Sequence, residues 1–208
     1  MPSTERRFST MFGLHRNVHG YDWAARRLAG RLYARVAADV AAAGLRSHAR
    51  ILDVGTGPGL VLVRIAPERP DLLFDAVDLA PEMIEQARTN AAEANAAITL
   101  TVADVVRLPF AQDTFDLVIS TFSPHHWTDP VTALSEVVRV LRPGGSAWLY
   151  DFRWALRRTQ TAAARVLPAA QITRISPLAG TSRLNPIGVI VLRKVPGEIS
   201  EVIKIATA

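Results

Sequence analysis

The sequence predicts an α/β fold, a mostly parallel sheet whose strands are joined by helical crossovers. Three observations carry that expectation. Short apolar runs of β type alternate with helical segments along most of the 208 residues. One such run ends in an acid and enters a glycine-rich turn, Ile51-Leu52-Asp53-Val54-Gly55-Thr56-Gly57-Pro58-Gly59. Finally, 49% of the residues are apolar, enough for one domain with a sizeable core.

Taken in order, residues 49–54, 72–78, 98–102, 115–121 and 145–151 read as strands. Residues 59–67, 81–95 and 129–141 read as the helices between them, the second opening with Pro81 and Glu82 at its first turn. A further helix is expected at 154–166. Two more β-rich stretches follow at 171–176 and 187–195, with Asn185-Pro186 as a turn before the last. Upstream, Phe12 to Val40 holds Tyr21-Asp22-Trp23 and then a helical pattern. The expected organisation is a helical cap segment over residues 1–44, a main domain over 45–195 and a loosely held tail over 196–208.

The glycines at 55, 57 and 59 remove the Cβ where a backbone must approach a ligand or take a positive φ. A loop of this kind, at the carboxyl end of a strand, binds a nucleotide-like group. A dinucleotide fingerprint would need Gly or Ala at position 60, where this chain has Leu60, so a nicotinamide oxidoreductase is disfavoured. No Gly-Lys-Ser/Thr follows, which excludes a phosphate-binding P-loop. Asp78 closes the next strand, where a carboxylate accepts from both hydroxyls of a ribose; a helix N-terminal acid is the plainer alternative. Asp104, after the third strand, is placed to accept from an adenine amine, or else is a solvated turn acid.

Asp53-Val-Gly-Thr-Gly-Pro-Gly59, Asp78 with Met83 behind it, and Asp104-Val-Val-Arg-Leu-Pro-Phe110 stand in a definite order. Asp113-Thr-Phe-Asp-Leu-Val-Ile119 and Leu141-Arg-Pro-Gly-Gly145 continue it. Over roughly residues 45–155 the chain resembles the class I S-adenosyl-L-methionine (SAM)-dependent methyltransferases, and within them the ubiquinone and menaquinone C-methyltransferase branch. That resemblance implies a Rossmann-like, seven-stranded sheet with helices on both faces, an antiparallel C-terminal edge hairpin and a helical cap over the cofactor. It implies SAM as cofactor, with S-adenosyl-L-homocysteine as product. By the same resemblance Asp53, Gly55, Thr56, Gly57 and Gly59 form the cofactor loop, with Thr56 along the methionine moiety. Leu79 and Met83 would flank ribose and adenine, Val105 would lie beside the ring, and Ser120 would mark the strand edge near the methionine. Tyr21, in the cap, would meet the methionine end, with ordinary helix packing against Trp23 as the alternative.

Ser120-Thr-Phe-Ser-Pro-His-His-Trp127 follows the fourth strand, where the family commonly carries a His-His pair; Pro124 stands where a Leu is usual. Methyl transfer from a sulfonium mainly requires alignment and exclusion of water. Where the acceptor must lose a proton, a His near neutral pKa suits the task, so His125 or His126 is the expected base, with a structural or capping His pair as the alternative. Trp127, Phe152 and Trp154 are candidates for an apolar acceptor pocket, with core packing the preferred reading for Phe152.

Charge is uneven: +6 over residues 1–50, −7 over 51–150 and +6 over 151–208. The acidic middle coincides with the site for a cationic cofactor. Arg27, Arg31 and Arg35 would form one stripe of the first helix, opposite Leu28, Leu32 and Val36. Twenty-two of the 24 basic residues are Arg, a bias that a GC-rich genome also produces, so a plain solvated face is the preferred reading. Nucleic acid is disfavoured as a partner, since aromatic interleaving and an Asn/Asp-Pro-Pro-aromatic tetrapeptide are both missing. There are no cysteines, hence no disulfide and no thiolate metal site, and no metal is expected. No run of eighteen apolar residues and no signal core appear, so a soluble cytoplasmic protein is expected. The expected acceptor is a small or lipid-like molecule. The rivals are an RNA or protein methyltransferase using the Arg-rich rim and a non-catalytic SAM-binding protein.

Overall fold

In a computed structural model the protein is described over residues 30–168, 171–173, 176–177 and 186–196. Tyr21, most of the cap segment and nearly all of the C-terminal tail lie outside them. The described chain runs α1 (Gly30–Ala42), β1 (Arg50–Val54), α2 (Leu60–Ile65), β2 (Leu73–Asp78), α3 (Pro81–Glu93) and β3 (Ile98–Val102). It continues through β4 (Phe115–Thr121), α4 (Pro130–Val140), β5 (Leu141–Phe152), α5 (Arg153–Ala163), β6 (Ser176–Pro177) and β7 (Ile187–Arg193). Two short 3-10 turns, Val105–Arg107 and Pro124–His126, follow β3 and β4.

The strands form one sheet in the order β3-β2-β1-β4-β5-β7-β6. The first five are parallel, while β7 pairs antiparallel with both β5 and β6. The order reverses between β1 and β4, which opens a crevice at their carboxyl ends. Alternation along the strands divides the core. Leu52 and Val118 face α4 and α5, whereas Ile51, Leu117 and Ile119 face α1 and α2. The opposite, amino edge is closed by ion pairs: buried Asp75 takes both Nε and Nη2 of Arg50, and Asp116 takes Arg46 and Arg142.

Several boundaries differ from expectation by a few residues, two of them for identifiable physical reasons. Helix α4 ends at Val140 because Arg142-Pro143 follows, and a residue before proline avoids helical torsions. The fifth strand then starts at Leu141 rather than at 145, with Leu141 opposite Phe115 and an irregularity before the register settles at Leu117↔Ser146. Gly145 is needed in that irregularity: a Cβ there would stand 2.9 Å from the Arg142 carbonyl and 3.1 Å from that of Asp116. Of the strand expected at 171–176, the described residues show the bridge Ile172↔Leu192 and Ser176 opening β6. Of the arginine stripe, α1 buries Leu32 and Val36 on its apolar face, while Arg35 binds Asp39 at 2.8 Å. Among the described residues no helix is long and apolar enough to cross a membrane.

Candidate active site

The site is built at the carboxyl edge, where β1, β2, β4 and β5 deliver their last residues into loops. After β1, Gly55, Gly57 and Gly59 all adopt left-handed torsions, with φ of 68°, 53° and 75°. The amides of Gly55 and Thr56 both donate to the Val77 carbonyl, so the loop is tied to the end of β2. Gly55 has a second requirement, because a Cβ there would collide with the Ser123 side chain. Gly59 opens α2 so close to α3 that a Cβ would meet Ala87 at 3.0 Å.

Asp53 is buried beneath this loop. Its Oδ2 accepts from the Thr56 hydroxyl at 2.8 Å, while its Oδ1 has no hydrogen-bond partner. Burial pushes the carboxyl up to about 7, the Thr56 hydrogen bond opposes this, and the negative charge of Asp78 adds to it. Asp78 bridges two loops, its Oδ2 accepting from the Gly57 amide at 2.8 Å and its Oδ1 from the Ala80 amide at 2.9 Å. The helix-entry role considered for Asp78 is therefore present, together with a grip on the glycine loop.

The neighbouring residues sort by exposure. Leu79 is 54% exposed, an apolar side chain standing in solvent beside Asp78, whereas Met83 is buried at the start of α3. Asp104 caps the Val105–Arg107 turn through the Val106 amide at 3.1 Å and is otherwise exposed; Val105 packs against the core. Ser120 is fully buried, its hydroxyl donating to the Val54 carbonyl at 2.7 Å, so that side chain ties β4 to β1.

The loop after β4 begins under strain. Phe122 has a φ of 54°, rare for a bulky side chain, while its amide donates to the Tyr150 carbonyl. Pro124–His126 then turns the two histidines toward the end of β5. There Asp151, with no exposed surface, accepts from the backbone amides of His125 (2.9 Å) and Phe152 (2.7 Å). The His125 ring Nδ1 lies 3.0 and 3.1 Å from its two oxygens. The His125 and His126 rings are 3.8 Å apart. The Phe152 and Trp154 rings are stacked with nearly parallel planes, their centroids 6.2 Å apart, with Trp154 66% exposed. Trp127 is not part of this wall: it is buried in the core beside α4, and its indole N–H donates to Ser123 Oγ at 3.2 Å.

Sequence reasoning passed over two positions that shape this edge. Asp151 carried a usable signal, since it ends β5 as Asp53 and Asp78 end their strands' apolar runs. Ser123 carried none, because its contact with Gly55 exists only once β4 lies beside β1.

The residues present fit SAM on two observations of this site: a buried Asp53 oxygen without a hydrogen-bond partner, and a loop of three glycines with positive φ at a strand's carboxyl end. Comparison with known proteins agrees. A family model described as a methyltransferase domain matches residues 51–145. A ubiquinone/menaquinone biosynthesis C-methyltransferase of Geobacter sp. strain M21 is 35% identical over 112 residues, covering 52% of this chain and 48% of that protein. A demethylmenaquinone methyltransferase of Deinococcus radiodurans is 34% identical over 114 residues, covering 54% and 47%. The chain thus spans about half the length of these relatives. For the fold, a crystal structure from Methanococcus maripaludis assigned to the SAM-dependent methyltransferases superposes with a TM-score of 0.73 at 20% identity, covering 88% of this chain and 94% of that one. From strand order, loop geometry and matched stretch together, residues 51–145 of this chain are similar to the methyltransferase domain that the family model describes, in a fold shared with a structure assigned to the SAM-dependent methyltransferases.

Proposed function

We propose that the protein transfers a methyl group from SAM to a small or lipid-like acceptor of the quinone type. The observation that carries this reading is the double latch of the glycine loop, whose Gly57 amide is held by Asp78 above a buried, half-satisfied Asp53. Asp78 is the ribose-binding acid, with exposed Leu79 and buried Met83 offering apolar cover to the nucleoside. Gly55, Thr56, Gly57 and Gly59 follow the amino-acid moiety, Asp104 and Val105 meet the adenine, and Ser120 holds the strand edge beneath it. Tyr21, outside the described residues, is assigned to the methionine end. The quinone-type acceptor is favoured because both relatives named above act on quinone precursors by name.

When bound, SAM supplies a methyl carbon that bonds to the acceptor atom as its bond to sulfur breaks, the electron pair leaving with sulfur. The chain's own contribution is alignment, exclusion of water and acceptance of a proton at His125 or His126. The test is transfer of labelled methyl from SAM into a cell extract by the pure protein. Label in the metabolite or lipid fraction is expected; label confined to RNA or protein overturns the acceptor class.

A further inference from the structure

We propose that Asp151 is a positioning residue that makes His125 the general base, and that this base serves a hydroxyl carried on a flat aromatic ring. The inference rests on the methyl-transfer reading above and narrows its acceptor.

The argument begins with what Asp151 can do. Its carboxylate is fully buried at the end of β5 and already accepts from two backbone amides, His125 and Phe152. Those amides fix the carboxylate in place, and the His125 ring is its third partner. An ionised carboxylate only accepts, so the ring proton sits on Nδ1 and the lone pair on Nε2. An imidazole held in one tautomer by a buried acid is oriented to take a proton at its far nitrogen, and the acid stabilises the imidazolium that results. The same loop touches the cofactor side, because Ser123 fills the space that a Gly55 side chain would need.

The surroundings of His125 specify the acceptor. Its ring is edged by Phe152 at 5.9 Å and by Trp154 at 6.3 Å. Those two aromatics stack at an interplanar angle of 12°, leaving the face of the exposed Trp154 to solvent. A flat aromatic ring covers such a face by offset stacking. An acceptor with a ready lone pair needs no base, whereas an aromatic hydroxyl reacts as its anion. The step is balanced: the acceptor O–H bond breaks, an N–H bond forms at His125 Nε2, and the electron pair stays on the acceptor oxygen.

The test uses the full chain with S-adenosyl-L-homocysteine. NMR shifts of the imidazole nitrogens at about pH 8 should report a protonated Nδ1 and a bare Nε2 for His125. In Asp151→Asn the proton should move to Nε2. Titration of para-nitrophenol, followed by its absorbance, should show the bound phenol ionising at lower pH with the wild type than with His125→Gln. His125→Gln leaves Asp151 its two amide partners and keeps the question answerable if Asp151→Asn does not fold. Methyl transfer to an aromatic hydroxyl should fall about 100-fold or more in either variant, and less for acceptors already ionised at the assay pH. A wild-type His125 protonated at Nε2 overturns the positioning role. Failure of para-nitrophenol to bind, or identical ionisation with His125→Gln, overturns the aromatic-hydroxyl acceptor. Calorimetry of S-adenosyl-L-homocysteine with the wild type separates these failures, since absent binding overturns the methyl-transfer reading itself.

Discussion

The two halves of the carboxyl edge are built on different plans. Under β1 and β2 the site is made of backbone: three glycines in left-handed torsions and amides gripped by Asp78. Beyond β4 and β5 it is made of side chains, with His125 and Asp151 brought together from 26 residues apart by strand pairing. The first plan binds one shape of ligand and tolerates almost no change. The second carries the aromatic rings and the His125–Asp151 pair on a frame whose residues can be exchanged singly. On the proposed reading, cofactor identity is fixed in the first half and acceptor identity in the second.

The largest expected effect tests how costly the first half is. Folded Asp53 keeps its proton up to about pH 7, whereas its unfolded value is 3.8. Between these values the folded state binds more protons, so the stability owed to the neutral acid is full below pH 4 and is lost as pH rises to 7. The loss is about 4 kcal/mol at alkaline pH. Asp53→Asn should remove it, seen as a difference in denaturant midpoints that widens from pH 5 to 8. An unchanged difference across that range would break the contrast.

Gly55→Ala should cost about 3 kcal/mol by the left-handed torsion and the collision with Ser123 together. It should abolish SAM binding in calorimetry. Asp78→Ala sharpens the comparison, because it removes one grip without entering the core. SAM affinity should fall about 10- to 100-fold, the worth of charge-assisted hydrogen bonds, with little change in melting temperature. The smallest effect lies outside both halves: Tyr150→Phe, which deletes the hydroxyl bonded to Asp39 at 2.9 Å, should cost about 1 kcal/mol in chemical unfolding and leave SAM affinity unaltered.

The same contrast explains what was legible in the sequence. The glycine loop and Asp78 could be read because a strand, a turn and an acid are local in the chain, and their geometry follows from residue type. The parallel core strands were readable from apolar runs, β3 and β4 to the residue. Asp151 was not placed opposite His125, because that pairing depends on the β4–β5 register and on the irregularity that starts β5 four residues early. Trp127 was expected in the acceptor wall and is core instead; its neighbours in sequence do not disclose that α4 folds back over it. The edge strand was the least readable, since among the described residues β6 pairs over only two positions.

Tyr150 has a bearing on the order in which the chain can assemble. Its buried hydroxyl reaches Asp39 across 111 residues, one of the longest closures in the molecule. Helix α1 and its neighbour α2 are close in sequence and can meet early, but the phenol has no place to donate until β5 has paired with β4. Loop closure over that distance is slow compared with local helix formation. The Tyr150–Asp39 closure therefore comes late, and refolding watched at Tyr150 should lag refolding watched at the glycine turn.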